Sequence, residues 1–209
     1  EMDGYLRGRS SELEAERPLI KTESQPYIHY QKASVVMYYL KEMIGDKKIN
    51  EALKSLIDSF AYKQPPYPTS ISAVNAFRKV TPDSLQYLID DMFENITIFS
   101  NRTIDTKFKK VGKEYEVTIT TTSEKFRADS LGNEKIRILN DYIDVGIFAE
   151  PSNKNNLGKV LFYKRVRINK KDNTFVFRTK EKPYQAGIDP YNYLIDRIPD
   201  DNIKKLEEL

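Results

Sequence analysis

The 209-residue sequence lacks cysteine and tryptophan and contains a single histidine, His29. Without cysteine, these residues form no disulfide, thiolate zinc site, iron–sulfur cluster or cysteine nucleophile. A catalytic zinc usually takes two or three histidine ligands, so the chain by itself is a poor candidate for a zinc enzyme. No Gly-x-Ser-x-Gly sequence is present either, which disfavours a serine hydrolase of the α/β type.

Long hydrophobic runs and a strong net charge are also missing. The longest mostly apolar run covers residues 33–40 and is much shorter than the ~20 residues that a membrane-spanning helix needs. The 34 Lys and Arg residues nearly balance the 31 Asp and Glu residues. We therefore expect a soluble globular chain that lies outside the membrane and does not bind nucleic acid.

The hydrophobic pattern changes near residue 98. Before it, apolar residues recur at helical spacing, and after it they alternate, as in Tyr115, Val117 and Ile119. We predict an α+β chain in which an N-terminal α-helical bundle precedes a C-terminal antiparallel β-sandwich of immunoglobulin or fibronectin type. The predicted domains are residues 1–98, residues 99–190 and an Asp- and Pro-rich tail, residues 191–209, which wraps around without forming a strand.

Three predicted helices differ in their apolar faces. Residues 46–62 carry one apolar stripe, which predicts packing against a core on that side. Residues 28–44 are apolar on most sides, which predicts a central helix covered by several neighbours. The stripe of residues 1–16 is thin, so we expect its packing partners in an upstream segment. Turns are predicted around Gly112 and Gly132, at residues 153–158 and at residues 171–173.

The segment Pro26-Tyr27-Ile28-His29-Tyr30 places two tyrosines and the histidine at the start of the predicted central helix. A tyrosine hydroxyl at a helix N-terminus could donate a hydrogen bond to an oxyanion. Spacing alone favours a simpler interpretation, in which Tyr27 and Tyr30 lie at the edge of the core and His29 is a satisfied or exposed polar group.

Three charged segments allow a functional and a structural interpretation. Oxygen ligands in the acidic tail could bind calcium, but turn and helix-cap roles are favoured because the spacing of a calcium loop is absent. The run Lys164-Arg165-Val166-Arg167 is better explained by an edge strand than by nucleic-acid contact. Arg7 and Arg9 could bind an anion, although a solvated helix face is the favoured account. The acidic-tail residues considered are Asp189, Asp196, Asp200, Asp201 and Asn202.

The run Tyr30-Gln31-Lys32-Ala33-Ser34-Val35-Val36, followed by Leu40 and Ile44-Gly45, resembles the zinc aminopeptidases of the aminopeptidase N type, which are gluzincins. In that family a segment Tyr-x-Lys-Gly-(Ala/Ser) lies downstream of the zinc motif HExxH. The chain is similar to the C-terminal part of Bacteroidetes proteins in which a peptidase-like domain follows an ABC transporter permease region. Residues 5–10, 64–70, 81–93 and 186–202 extend this resemblance over nearly the whole chain.

The resemblance implies a role for Tyr30, which matches the family's motif tyrosine and would stabilise the tetrahedral oxyanion. Tyr27 matches no position of the family's motif, and we expect it to line the same substrate pocket. The motif glycine is Ala33 here, and HExxH is absent. We therefore expect an inactive C-terminal fragment without cofactor or bound metal. Zinc, the peptide substrate and the upstream peptidase half would belong to a parent in the bacterial inner membrane.

Two other functions remain open from the sequence. The chain could be a non-catalytic interaction or scaffold module attached to an ABC transporter permease, in which case the upstream zinc motif would be degenerate. Alternatively, residues 99–190 could form a substrate-binding sandwich, which would require an aromatic-lined groove in that range.

Overall fold

Helices and alternating strands segregate along the chain as the hydrophobic pattern predicts, giving an α+β fold. The computed structural model describes residues 1–153 and 157–209. Part of the predicted turn at residues 153–158, namely residues 154–156, lies outside the described residues. Contacts divide the chain into two units. The first unit comprises Glu1–Thr97, Arg127–Lys135 and Tyr193–Ile195, and the second comprises Ile98–Phe126, Ile136–Asn192 and Asp196–Leu209.

The first unit contains all five α-helices of the described residues. The predicted helix at residues 28–44 divides into a π-helical turn and α2, and residues 83–94 form successive 3₁₀, α and π turns. The α-helices are α1 (Met2–Ser11), α2 (Ala33–Ile44), α3 (Asp46–Phe60), α4 (Ser70–Val80) and α5 (Gln86–Ile89). The π-helical turns are Tyr27–Lys32 and Asp90–Glu94, and the 3₁₀ turns of this unit are Leu19–Lys21 and Asp83–Leu85.

Local sequence signals explain where α2, α3 and α4 begin and end. Gly45 ends α2 with a φ of +89°, a conformation that residues with a side chain rarely adopt. Thr69 starts α4 through a capping box with Ser72, in which each side chain accepts a backbone N–H. The Pro-rich residues 64–68 between α3 and α4 form no helix, as proline predicts.

The predicted burial of α2 and α3 is only partly correct. Ile49 and Ala52 of α3 are buried, but Ile57, in the same predicted stripe, is 62% exposed. On α2, Leu40 is buried whereas Tyr38 is 56% exposed, so this helix is not covered on all sides. The apolar pattern shows which residues could be buried, but the number of neighbouring elements decides how many are.

The expectation for α1 also needs correction. The helix ends at Ser11, and Leu13 beyond it is fully exposed. Met2 and Tyr5 are buried within the first unit, and the Tyr5 ring stacks on Tyr27 with 6.0 Å between centroids. The packing partner of this thin stripe is therefore present in the chain itself.

The second unit contains most of two sheets with mainly antiparallel pairing. The five-stranded sheet has the order β3-β2-β1-β9, with β6 also paired to β2, and the four-stranded sheet has the order β5-β4-β7-β8. The first sheet consists of β1 (Ile96–Val111), β2 (Glu114–Ala128), β3 (Glu134–Arg137), β6 (Asp172–Thr179) and β9 (Glu207–Glu208). The second consists of β4 (Asp141–Phe148), β5 (Val160–Ile168), β7 (Gln185–Ile188) and β8 (Ile203–Lys205).

Alternating residues from both sheets form one hydrophobic cluster in the second unit. Val117 and Ile119 of β2 contribute from the first sheet, and Val145 and Ile147 of β4 contribute from the second. The alternation in β2 correctly predicts one buried face, whereas β4 is buried on both faces at nearly all positions. Strand β5 is an edge strand, which agrees with the interpretation of its basic run.

The expectation that the acidic tail forms no strand is wrong. Strand β8 pairs antiparallel with β7, and β9 pairs parallel with β1. Both strands are two or three residues long, so they carry too few residues for an alternating pattern to be recognised. Within the described residues, no helix has both the length and the apolar character to cross a membrane.

Asp196 explains part of the acidic composition of the tail. Its buried carboxylate accepts hydrogen bonds from the backbone N–H groups of Asn101 and Ile198 and from the side chain of Asn202. Burial raises the pKa of Asp196 to about 6, and the same hydrogen bonds oppose that increase. This residue has the structural role that the sequence favoured for the acidic tail.

Candidate functional site

The π-helical turn Tyr27–Lys32 presents Tyr30 to solvent while burying residues on either side of it. In an α-helix, side chains five residues apart point about 140° away from each other. The i→i+5 hydrogen bonding of a π-helix brings such residues closer to one side. Tyr27 and Lys32 are five residues apart and both are buried. Tyr30 lies between them in sequence and is 67% exposed.

Two glycines of α1 allow this turn to approach the helix closely. A methyl group at Gly8 would lie 2.3 Å from Cβ of Tyr27, which is shorter than any real contact between such atoms. A methyl group at Gly4 would lie 2.9 Å from Cγ of Gln31. Glycine at these positions therefore permits the close contact between α1 and the π-helical turn.

Glu16 is the centre of a buried polar cluster beneath the turn. The hydroxyl of Tyr5 donates to Oε1 of Glu16 at 2.7 Å, and Nε of Arg9 donates to Oε2 at 2.7 Å. Nζ of Lys32 lies 3.6 Å from Oε1 and 5.1 Å from the centroid of the Tyr5 ring. We call Tyr5, Arg9, Glu16 and Lys32 the Glu16 cluster.

Burial controls the protonation of the groups in and beside this cluster. It lowers the pKa of Lys32 to about 8, and the negative charge of Glu16 opposes that decrease. Burial also raises the pKa of Tyr5, and the negative charge of the nearby Glu16 raises it further. Burial likewise raises the pKa of Tyr27, so both tyrosines stay neutral at physiological pH.

The polar groups of the turn are not all satisfied. Nζ of Lys32, the hydroxyl of Tyr27 and Oε1 of Gln31 are buried without a hydrogen-bond partner. Lys32 nevertheless has an ion-pair partner in Glu16. A buried ammonium that forms an ion pair but no hydrogen bond is energetically costly, because the desolvation penalty is only partly compensated.

The two predicted site residues lie in different environments. Tyr30 is exposed, and its ring centroid is 4.5 Å from that of His29. Tyr27 has its hydroxyl enclosed, with its ring against Tyr5. The catalytic role of Tyr30 and the substrate-binding role of Tyr27 stay predictions.

Arg9 corrects the expectation of a solvated basic face on α1. Its guanidinium binds Glu16 and also lies 3.6 Å from the carboxylate of Glu134. Arg7 is exposed and pairs with Asp3 on the same helix, as the favoured account predicts. The two arginines therefore do not form an anion clamp.

Sequence reasoning missed Glu16 and the burial of Lys32. Glu16 lies in an irregular charge-rich segment without hydrophobic periodicity, so no local signal distinguishes it from its exposed neighbours. One sequence feature could have drawn attention to Lys32, since this residue belongs to the motif that carries the resemblance. A lysine in an otherwise apolar helical stretch is a candidate for a buried ion pair.

Other parts of the described chain contain fewer groups that could bind a metal or a ligand. Within residues 1–153 and 157–209, no three His, Asp or Glu side chains lie together in a way that could hold a metal ion. The second unit has an open pocket of about 320 Å³, and no aromatic residue contributes to its lining. Its lining residues are Glu114, Val160, Leu161, Arg178, Thr179, Lys180 and Glu181.

Comparisons with known proteins do not assign the chain to a family. A scan against models of protein families finds no match, and a search of curated proteins finds no significant match. The aminopeptidase resemblance therefore depends on the motif around Tyr30 and the similar segments described above.

Proposed function

We propose that this chain is the C-terminal part of a zinc aminopeptidase-like hydrolase of the aminopeptidase N type, in which Tyr30 stabilises the oxyanion. In this proposal residues 1–98 are a helical bundle of the catalytic domain, and residues 99–190 are an immunoglobulin- or fibronectin-like sandwich. The parent is a bacterial inner-membrane protein with an ABC transporter permease region, and peptides are its substrates.

The observation that carries this proposal is the placement of Tyr30. Its side chain is 67% exposed on the π-helical turn that leads into α2. Its hydroxyl can donate a hydrogen bond to negative charge developing on a carbonyl oxygen. The positive end of the helix dipole favours the same charge.

The described residues do not fit a zinc site, since they contain no suitable group of ligands. In this proposal the metal and its ligands belong to the upstream half of the parent. The contribution of this chain is therefore limited to orienting Tyr30 and donating its hydrogen bond. Isolated, the chain is expected to be inactive, and metal analysis that finds one tightly bound zinc per chain would contradict the proposal.

The test is the substitution Tyr30→Phe in the full-length parent, assayed with aminoacyl anilides. Loss of one oxyanion donor is expected to lower kcat by about 10²- to 10³-fold, with little change in KM. Tyr38→Phe is the matched control, because Tyr38 is an exposed tyrosine of α2. A kcat for Tyr30→Phe equal to that of the control would refute the catalytic role.

A second candidate function is a non-catalytic interaction module for the permease. Exposed apolar side chains of α3 and α4 favour it: Leu53, Ile57 and Ile71 are all exposed within the first unit. The double substitution Leu53→Lys/Ile57→Lys should then abolish co-purification with the permease region while leaving thermal unfolding unchanged. An intact upstream HExxH, together with normal peptidase activity of this variant, would favour the enzyme instead.

A further inference from the structure

Lys32 is the feature of the turn that packing alone does not explain. Its side chain is 1% exposed, and its ammonium has no hydrogen-bond partner. Burying this charge costs desolvation energy that the ion pair with Glu16 only partly returns. The cation lies in the same six-residue turn as the exposed Tyr30, two residues further along the chain.

The anion that faces Lys32 is itself held in place. Glu16 accepts hydrogen bonds from Tyr5 and Arg9, both of which belong to α1. Arg9 has a second carboxylate nearby in Glu134. Lys32 therefore pairs with an anion that α1 has already fixed in position.

The π-helical turn is consequently fixed at both of its ends. At the first residue, Tyr27 packs closely against Gly8, where a methyl group has no space. At the last residue, Lys32 is bound to Glu16 by the 3.6 Å ion pair. If the turn relaxed to an α-helix, these two side chains would point about 140° apart, and one of them would leave its buried site.

We propose that Lys32 is a positioning residue for Tyr30: its ion pair with Glu16 holds the turn in the π-helical conformation that directs the Tyr30 hydroxyl. This inference rests on the proposed oxyanion role of Tyr30. It adds to that role α1 and Glu16, which hold the turn and thereby set the direction of the Tyr30 side chain.

The experiment compares Lys32→Met, Tyr30→Phe and the double variant in the full-length parent. We expect Lys32→Met to lower kcat by about 10- to 100-fold with KM nearly unchanged, because small displacements of a catalytic group have effects of this size. The double variant should be no slower than Tyr30→Phe alone, because Lys32 acts only through Tyr30. Multiplicative losses in the double variant would overturn the proposal.

Lys41→Met is the matched control, because Lys41 is a lysine of α2 whose partners, Glu42 and Asp46, lie away from the turn. Its kcat should equal that of the wild type. A crystal structure of the 209-residue chain carrying Lys32→Met provides a readout that does not need activity. The proposal expects the π-helical hydrogen bonding of residues 27–32 to be lost, and an unchanged turn would overturn it.

The two proposals fail in distinguishable ways. If Tyr30→Phe leaves kcat unchanged, the oxyanion role is wrong whatever Lys32→Met does to the turn. If Tyr30→Phe is slow but Lys32→Met is as fast as the wild type, the oxyanion role stands and the positioning role is wrong.

Discussion

Lys32 should make the stability of the chain increase with pH. Burial lowers its folded-state pKa to about 8, whereas an unfolded lysine titrates near 10.5. Between these values the unfolded chain binds a proton that the folded chain does not, so raising the pH favours the folded state. Below pH 8 both states carry the protonated lysine, and the pKa difference of about 2.5 then lowers the free energy of unfolding by about 3 kcal/mol.

The substitution Lys32→Met removes this cost together with the buried ammonium. Glu16 keeps two hydrogen-bond donors, Tyr5 and Arg9, so its charge is not left unpaired. The removed desolvation cost should offset the buried contacts that are lost when the turn relaxes, so we expect the variant to be about as stable as the wild type at pH 7.

Urea unfolding at pH 7 and pH 9.5 measures the effect. The free energy of unfolding of the wild type should rise by about 2 kcal/mol relative to that of Lys32→Met over this interval, since most of the titration lies within it. Burial raises the pKa of Tyr5 and Tyr27, but both tyrosines are present in the two proteins, so their contribution cancels in the difference. If the difference between the two proteins is the same at both pH values, Lys32 is not desolvated as described.

Three further predictions concern other parts of the fold. Gly8→Ala should lower the free energy of unfolding by about 1–3 kcal/mol through overpacking against Tyr27, as measured by urea titration. Gly4→Ala should lower it less, because the added methyl group meets the flexible side chain of Gln31. Burial raises the folded-state pKa of Asp196 to about 6, above its unfolded value of 3.8. The free energy of unfolding should therefore increase by about 2 kcal/mol from pH 7 to pH 4 relative to Asp196→Asn, and a constant difference would contradict the prediction. Ile57→Glu should change the free energy of unfolding by less than about 0.5 kcal/mol, because this side chain is exposed; a larger loss would show that it is covered.

The helices and strands of the chain were largely predictable because their signals are local. Gly45, the Pro-rich residues 64–68 and the period of the apolar residues are each determined by backbone geometry within a few positions. The very short strands β8 and β9 were not predictable, because they depend on pairing with distant segments.

The candidate site was predictable to a smaller extent. The motif indicated Tyr30, whose side chain is exposed in the structure. Nothing in the spacing indicated Glu16, because a buried carboxylate in an irregular segment has the same local sequence as an exposed one. The division of the predicted helix at Lys32 into π and α parts also depended on α1, whose glycines approach the turn.

The sequence by itself determined which chemistry these residues exclude. With no cysteine and one histidine, they cannot form a thiolate site or a histidine-rich zinc site, whatever the fold. It also determined where helices give way to strands, because periodicity is a property of neighbouring residues. Only the tertiary structure decided that Lys32 and Glu16 form a buried ion pair beneath an exposed Tyr30. That arrangement depends on α1 covering one side of the turn, and burial depends on which distant element lies there.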